Sequence, residues 1–195
     1  MTPLTLADIR RPAEYWPMRG FERRRMLELR RDRRLMLGDL VSLVFENRET
    51  VKGMVEEIVC AGWIESPERI SDEMGLFSVL LPDCNELRAT LFVAARDGPD
   101  IALLREVQSS LVRHLHLVFG NGSVETADEL DDAELTPTVH YVRFHIDTDA
   151  RATLRDGGME VSIVVDHPRY STRTELTPPQ RAALAADLDA VWTGS

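Results

Sequence analysis

Leu43-Val44-Phe45-Glu46-Asn47-Arg48-Glu49-Thr50-Val51 is the stretch on which the fold turns: an apolar strand runs into Glu, Asn and Arg and continues as a helix. Thr50 is of the residue type that caps a helix, and Gly62 of the type that ends one, so the helix is expected to run to about Ala61. A strand that stops at a Glu/Asn/Arg cluster is a common place for a binding or catalytic site. The same cluster can also be a satisfied turn.

Upstream, residues 12–36 read as one arginine-rich helix. Met18, Phe21, Met26, Leu29 and Met36 recur near helical spacing, and arginines fill the other positions. Residues 1–37 are therefore expected to form a helical arm on an α+β domain spanning 38–195, the two making one structural unit. Residues 1–35 hold ten arginines against five acids, a net of +5, which leaves −15 on the rest of a chain of net charge −10. Such an acidic body disfavours nucleic-acid binding, because phosphate contacts need a positive surface. The arginine run is expected to be a solvated face whose members pair with Glu22, Glu28, Asp32 or the acidic body.

Downstream, Ser66-Pro67-Glu68-Arg69 starts another helix, with proline at its first position. Strands are expected at 39–46, 86–95, 111–119, 138–146, 159–166 and 170–176. Helices are expected at 99–110 and 147–156, and a last one, capped by Thr177, runs to about Trp192. The acidic segment 124–135 reads as a loop or a surface helix. The fold class is thus α+β: a single domain with a mostly antiparallel sheet of about five or six strands and a C-terminal helix. Its 195 residues suffice for a sizeable core, and 44% hydrophobic with 29% charged residues is ordinary globular composition. No apolar run approaches the roughly 20 residues that span a bilayer, and no signal-peptide pattern opens the chain, so a cytoplasmic protein is expected. Cys60 and Cys84 lack metal-motif spacing and read as buried small hydrophobes in a reducing compartment.

Strand alternation supplies the candidate chemistry. Leu115, Leu117 and Phe119 share one face of their strand, His114 and His116 the other. Val142, Phe144 and Ile146 oppose Tyr141, Arg143 and His145. If these faces coincide, one sheet has an apolar side against helices and a side rich in His, Arg, Tyr and hydroxyls. Two histidines two apart can ligate one ion, with Glu46, Glu57 or Glu86 completing a mixed nitrogen–oxygen sphere for iron, zinc, manganese or copper. Glu56, one turn from Lys52, reads as solvated. Glu57 lies at the edge of the Val51, Val55 and Ile58 stripe and needs a partner such as Arg48. In Asp166-His167-Pro168 the aspartate either caps the turn or orients His167. Nucleophile-elbow, phosphate-loop and dinucleotide fingerprints are absent from the sequence.

Several of these segments occur together in one bacterial family. Leu4–Ile9, Phe45–Val51, Leu80–Pro82, Glu86–Leu91, Tyr141–Phe144 and Asp166-His167-Pro168 appear in the order seen in the domain-of-unknown-function family three-five-zero-one, which the chain resembles over nearly its whole length. The resemblance implies an association with iron or oxidative stress, because genes of that family often lie beside rubrerythrin-like and iron–sulfur proteins. It matches Glu46, Asn47, Arg48, Glu57, Glu86, Arg143, Asp166, His167 and His114, whereas His116, His140 and His145 depart from the pattern. The leading expectation is a metal-binding, iron-holding protein or small redox metalloenzyme with Glu57, His114 and His167 as preferred ligands and Glu46, Glu86 and His116 as further ones. Arg48 and Arg143 would then neutralise carboxylates or hold an anionic substrate. Two alternatives are a non-catalytic module docking a redox or iron–sulfur partner, and a metal-free enzyme on a small anionic substrate using Tyr141, Arg143 and His145.

Overall fold

The computed structural model describes residues 3–94, 103, 110–130 and 138–192. Most of the helix expected at 99–110 and the end of the acidic 124–135 segment lie outside those residues.

The N-terminal segment departs from the single helix expected. Pro12 opens a one-turn helix, α1 (Pro12–Tyr15), and a 3-10 turn at Trp16–Met18 containing Pro17 leads into α2 (Arg19–Arg31). A proline cannot donate to the helical ladder, which accounts for the break. After Asp32 the chain becomes a strand, β1 (Arg34–Leu37), with Leu35 and Leu37 buried and Arg34 and Met36 exposed. Its partner β2 (Val41–Glu46) pairs antiparallel with it, Arg34 opposite Val44. The reversal between them uses Gly38 at φ 68°, a left-handed conformation in which side chains are strained.

Asn47, not Thr50, caps the helix that follows. The Asn47 side chain accepts from Thr50 N at 2.9 Å, and the Thr50 hydroxyl accepts from Asn47 N at 2.9 Å, a reciprocal box that opens α3 (Arg48–Ala61). Ser66 caps α4 (Pro67–Ser78) as expected. The remaining strands are β3 (Glu86–Val93), β4 (Leu115–Phe119), β5 (Val124–Thr126), β6 (Asp128–Glu129), β7 (Val139–His145), β8 (Val161–His167) and β9 (Tyr170–Glu175). Helix α5 (Thr148–Arg155) follows β7, and α6 (Pro178–Trp192) follows β9.

Among the described residues all strand pairs are antiparallel, and they form two sheets rather than one. The larger has the order β1-β2-β3-β7-β6, the smaller β5-β4-β8-β9. Leu35, Leu43, Phe45, Ala89, Leu91, Val142 and Phe144 of the larger sheet meet Leu115, Leu117, Ile163 and Val165 of the smaller in one core, closed by Leu154 of α5 and Leu184 and Leu188 of α6. The apolar side of the larger sheet thus faces the second sheet. Its polar side carries α2 and α3, with α4 packed on α3, and this arrangement creates the candidate site.

Candidate functional site: an arginine-rimmed cavity under α2

On the polar side of the larger sheet, strand register aligns one residue from each of four strands. Arg34 lies opposite Val44, Val44 opposite Thr90, and Thr90 opposite Tyr141. Glu46 sits two residues along β2 from Val44 and so shares that face. Leu27, Arg30 and Arg31 of α2 and Met54 of α3 close over this row, enclosing a cavity of 420 Å³ that Phe92 and Val139 also line. Arg31 and Arg34 are exposed at its rim, while Glu46 is 3% exposed at its floor.

The floor is chemically unusual. Glu46 Oε1 accepts from the Thr90 hydroxyl at 3.0 Å, but Oε2 is buried with no hydrogen-bond partner among the described residues. The nearby Thr50 hydroxyl is engaged with Asn47, donating to its carbonyl at 3.0 Å. Burial pushes the Glu46 carboxyl above the ordinary carboxylate range, against the lowering pull of the Thr50 and Thr90 hydroxyls and the Arg30 and Arg33 charges. Arg30 Nε, from the opposite wall, is likewise buried without a partner. Tyr141 is raised as well, first by burial and second by the charge of Glu46. An unmet acceptor, an unmet cationic donor and a phenol thus line one cavity, a set suited to an anionic ligand that exchanges a proton.

The other expected site residues lie elsewhere. Glu57 on α3 is held by Arg19, whose Nε donates to its Oε1 at 2.9 Å, and by the Tyr15 hydroxyl at 3.4 Å; the Arg19 guanidinium lowers its pKa. Arg48, the partner expected for Glu57, instead pairs with Asp8 at 2.8 Å and holds that carboxyl well below its usual range. Glu86 is clamped by Arg88 at 2.7 Å, with Arg143 at 3.8 Å. Arg143 itself is exposed and reaches Asp128 at 3.6 Å, and unlike Tyr141 it does not line the cavity.

His114, His116 and His167 gather at the smaller sheet, whereas Tyr141, Arg143 and His145 lie with His140 on β7 of the larger, so the two polar faces do not coincide. His114 lies in a 3-10 turn (Leu111–His114) rather than on the strand. Its Nδ1 is 2.9 Å from Asp166 Oδ1, and His116 Nε2 is 3.3 Å from the same oxygen while its Nδ1 meets the Thr126 hydroxyl at 2.9 Å. His167 packs edge-on to His114, with ring centroids 5.0 Å apart. Its Nδ1 accepts from Arg169 N at 3.1 Å, which leaves Nε2 as the donor to Ser110 Oγ at 3.2 Å in the neutral ring. That tautomer cannot take a proton from Ser110, so the pair is no activated nucleophile.

Among the described residues no group of three or more His, Cys, Asp or Glu is placed to hold a metal ion. The preferred ligands Glu57, His114 and His167 are split between α3 and the smaller sheet, and both nitrogens of His116 are engaged. These residues do not fit a common iron site. Cys60 is buried as expected, but Cys84 is exposed. Glu56, which reads as solvated, is 1% exposed and gripped by Arg10 at 2.8 and 2.7 Å. Sequence reasoning also missed Arg30, Arg34 and Thr90 as cavity residues.

These elements define the class: an α+β protein of two antiparallel sheets, with helices roofing the polar side of the larger. The chain belongs to the family described as Protein of unknown function (DUF3501), which matches residues 3–188. It is similar to a novel protein of unknown function from Burkholderia pseudomallei, whose crystal structure aligns with a TM-score of 0.88 at 26% identity, covering 96% of this chain and 100% of that one. No functionally curated protein matches it. No helix among the described residues is long and apolar enough to cross a membrane.

Proposed function

We propose that the cavity under α2 binds a small organic anion without a metal, and that Glu46 exchanges a proton with it. One observation carries this reading: Glu46 Oε2 and Arg30 Nε, both buried and neither hydrogen-bonded among the described residues, line the same 420 Å³ cavity. A ligand oxygen can satisfy both groups at once, accepting from Arg30 and sharing a proton with Glu46. Arg31 and Arg34 at the rim draw the anion in, and Tyr141 supplies a further hydroxyl. The proton moves between Glu46 Oε2 and the ligand oxygen and back, with no change of oxidation state.

Calorimetric titration with acetate and with inorganic phosphate, in buffers of differing ionisation heat, tests the reading. Binding should carry proton uptake or release that Glu46→Gln removes. Arg30→Ala should weaken it about tenfold or more, as expected for losing a charged hydrogen bond. Absence of binding at millimolar concentrations would sink the proposal. So would near-stoichiometric iron in protein from iron-supplemented medium that is lost in His114→Ala, an outcome favouring the metalloprotein reading.

A further inference from the structure

A second cavity, of 360 Å³, adjoins the first. Tyr15, Met26, Gly53, Ile58 and Phe77 line it, and it shares Leu27, Arg30 and Met54 with the anion cavity. Those three shared side chains form the partition between the two spaces. Leu27 is 72% exposed and Met54 only half-buried, so neither is pinned by close packing, and a thioether chain readily changes rotamer. The second cavity is walled mostly by apolar groups. Of its polar groups, Glu57 is engaged by Arg19 and the Tyr15 hydroxyl donates to Glu57, while Arg23, also in the lining, is exposed and adds its charge beside Glu57. It therefore offers a ligand mainly apolar surface, with Arg23 at its exposed edge.

The polar groups of the first cavity lie at one end of this combined space. Arg30 stands at the partition itself, and Glu46, Thr90 and Tyr141 lie beyond it under α2. A ligand that fills both spaces must carry its charge at one end and apolar surface at the other. We infer that the ligand is an amphiphilic carboxylic acid, its carboxylate between Arg30 and Glu46 and its hydrocarbon tail passing Met54 into the cavity lined by Met26, Ile58 and Phe77. A single planar carboxylate matches one guanidinium and one carboxyl better than a larger polyanion does. The inference rests on the anion-binding reading above and adds the substrate class.

The test is the affinity of the full-length protein for straight-chain carboxylates from acetate to decanoate. Affinity should rise about fourfold per added methylene, until the second cavity is full. Ile58→Trp, which fills that cavity without touching the first, should abolish the gain for the longer acids and leave acetate unchanged. Gly53→Ala gives a second arm should that variant fold poorly: a Cβ there would lie 2.5 Å from Met26 Sδ and force that side chain to move. Affinity flat with chain length in the wild type, with acetate still bound, overturns the tail site and spares the anion site. A long-chain gain that persists in both variants also overturns it. Failure of every acid to bind overturns both.

Discussion

Arg33 closes a two-pronged bridge onto Asp187 across 154 residues of chain, Nε to Oδ2 at 2.8 Å and the terminal nitrogen to Oδ1 at 2.9 Å. Both side chains are 9% exposed. The same Asp187 Oδ1 accepts from the Asn47 side-chain amide at 2.8 Å. One carboxylate of α6 thereby joins the entry to β1 with the cap of α3, immediately beside Glu46.

Breaking that bridge leaves a buried guanidinium uncompensated. Asp187→Ala should cost about 3–5 kcal/mol of unfolding free energy, read from urea denaturation. It should also fray the start of α3, since Asn47 loses the partner that orients it. An unchanged midpoint would show that the bridge is replaced by water at no cost.

Glu56 makes a similar case. It lies on the helical face that local spacing assigns to solvent, yet Arg10 covers it from the N-terminal segment and also reaches Glu22 at 2.9 Å. Glu56→Ala should destabilise by about 3 kcal/mol and expose the first residues of the chain to limited proteolysis. Proteolysis at the wild-type rate would contradict the anchoring role.

Glu46 should make stability fall with rising pH. Burial raises its carboxyl above the unfolded-state range, so the folded protein holds that proton more tightly than the unfolded chain does. The resulting stabilisation is complete below the ordinary carboxylate range and is lost as pH rises through the raised value. Glu46→Gln mimics the protonated acid, so the variant should match the wild type in acid and exceed it at high pH. Denaturation midpoints measured across that range check this, and parallel curves would refute it.

Gly38→Ala should weaken the β1–β2 hairpin. The position combines φ 68° with a Cβ that would lie 2.5 Å from the Tyr170 hydroxyl oxygen. Tyr170 donates there to the Leu37 carbonyl and accepts from Leu40 N at 3.3 Å, tying β9 to the hairpin. A loss of about 2 kcal/mol is expected from backbone strain and the displaced hydroxyl. Thermal unfolding unchanged from the wild type would show that the loop relaxes freely.

Much of the fold can be read directly from residue order. Ser66-Pro67, Asp147 and Thr177 announce helix starts that the structure confirms, because capping is a contact between residues three apart. The period-two faces of β4 and β7 hold for the same reason: alternation is local geometry. Arg34–Leu37 misleads because its leucines and methionine fit the end of a helix as well as a short strand, and only pairing with β2 decides between them.

The candidate site was legible only in part. Glu46 stands out where an apolar strand stops at a charge, and Tyr141 by alternation along β7. Sequence by itself determined the α+β class, the strand-to-helix junction at Glu46 and Asn47, and which residues share a face within each strand. Tertiary structure alone decided that there are two sheets, that His116 and His167 lie on one while Glu46 and Glu86 lie on the other, and that Arg30 hangs over Glu46. Those facts depend on register and on helix packing between residues far apart in the chain, which no local periodicity encodes.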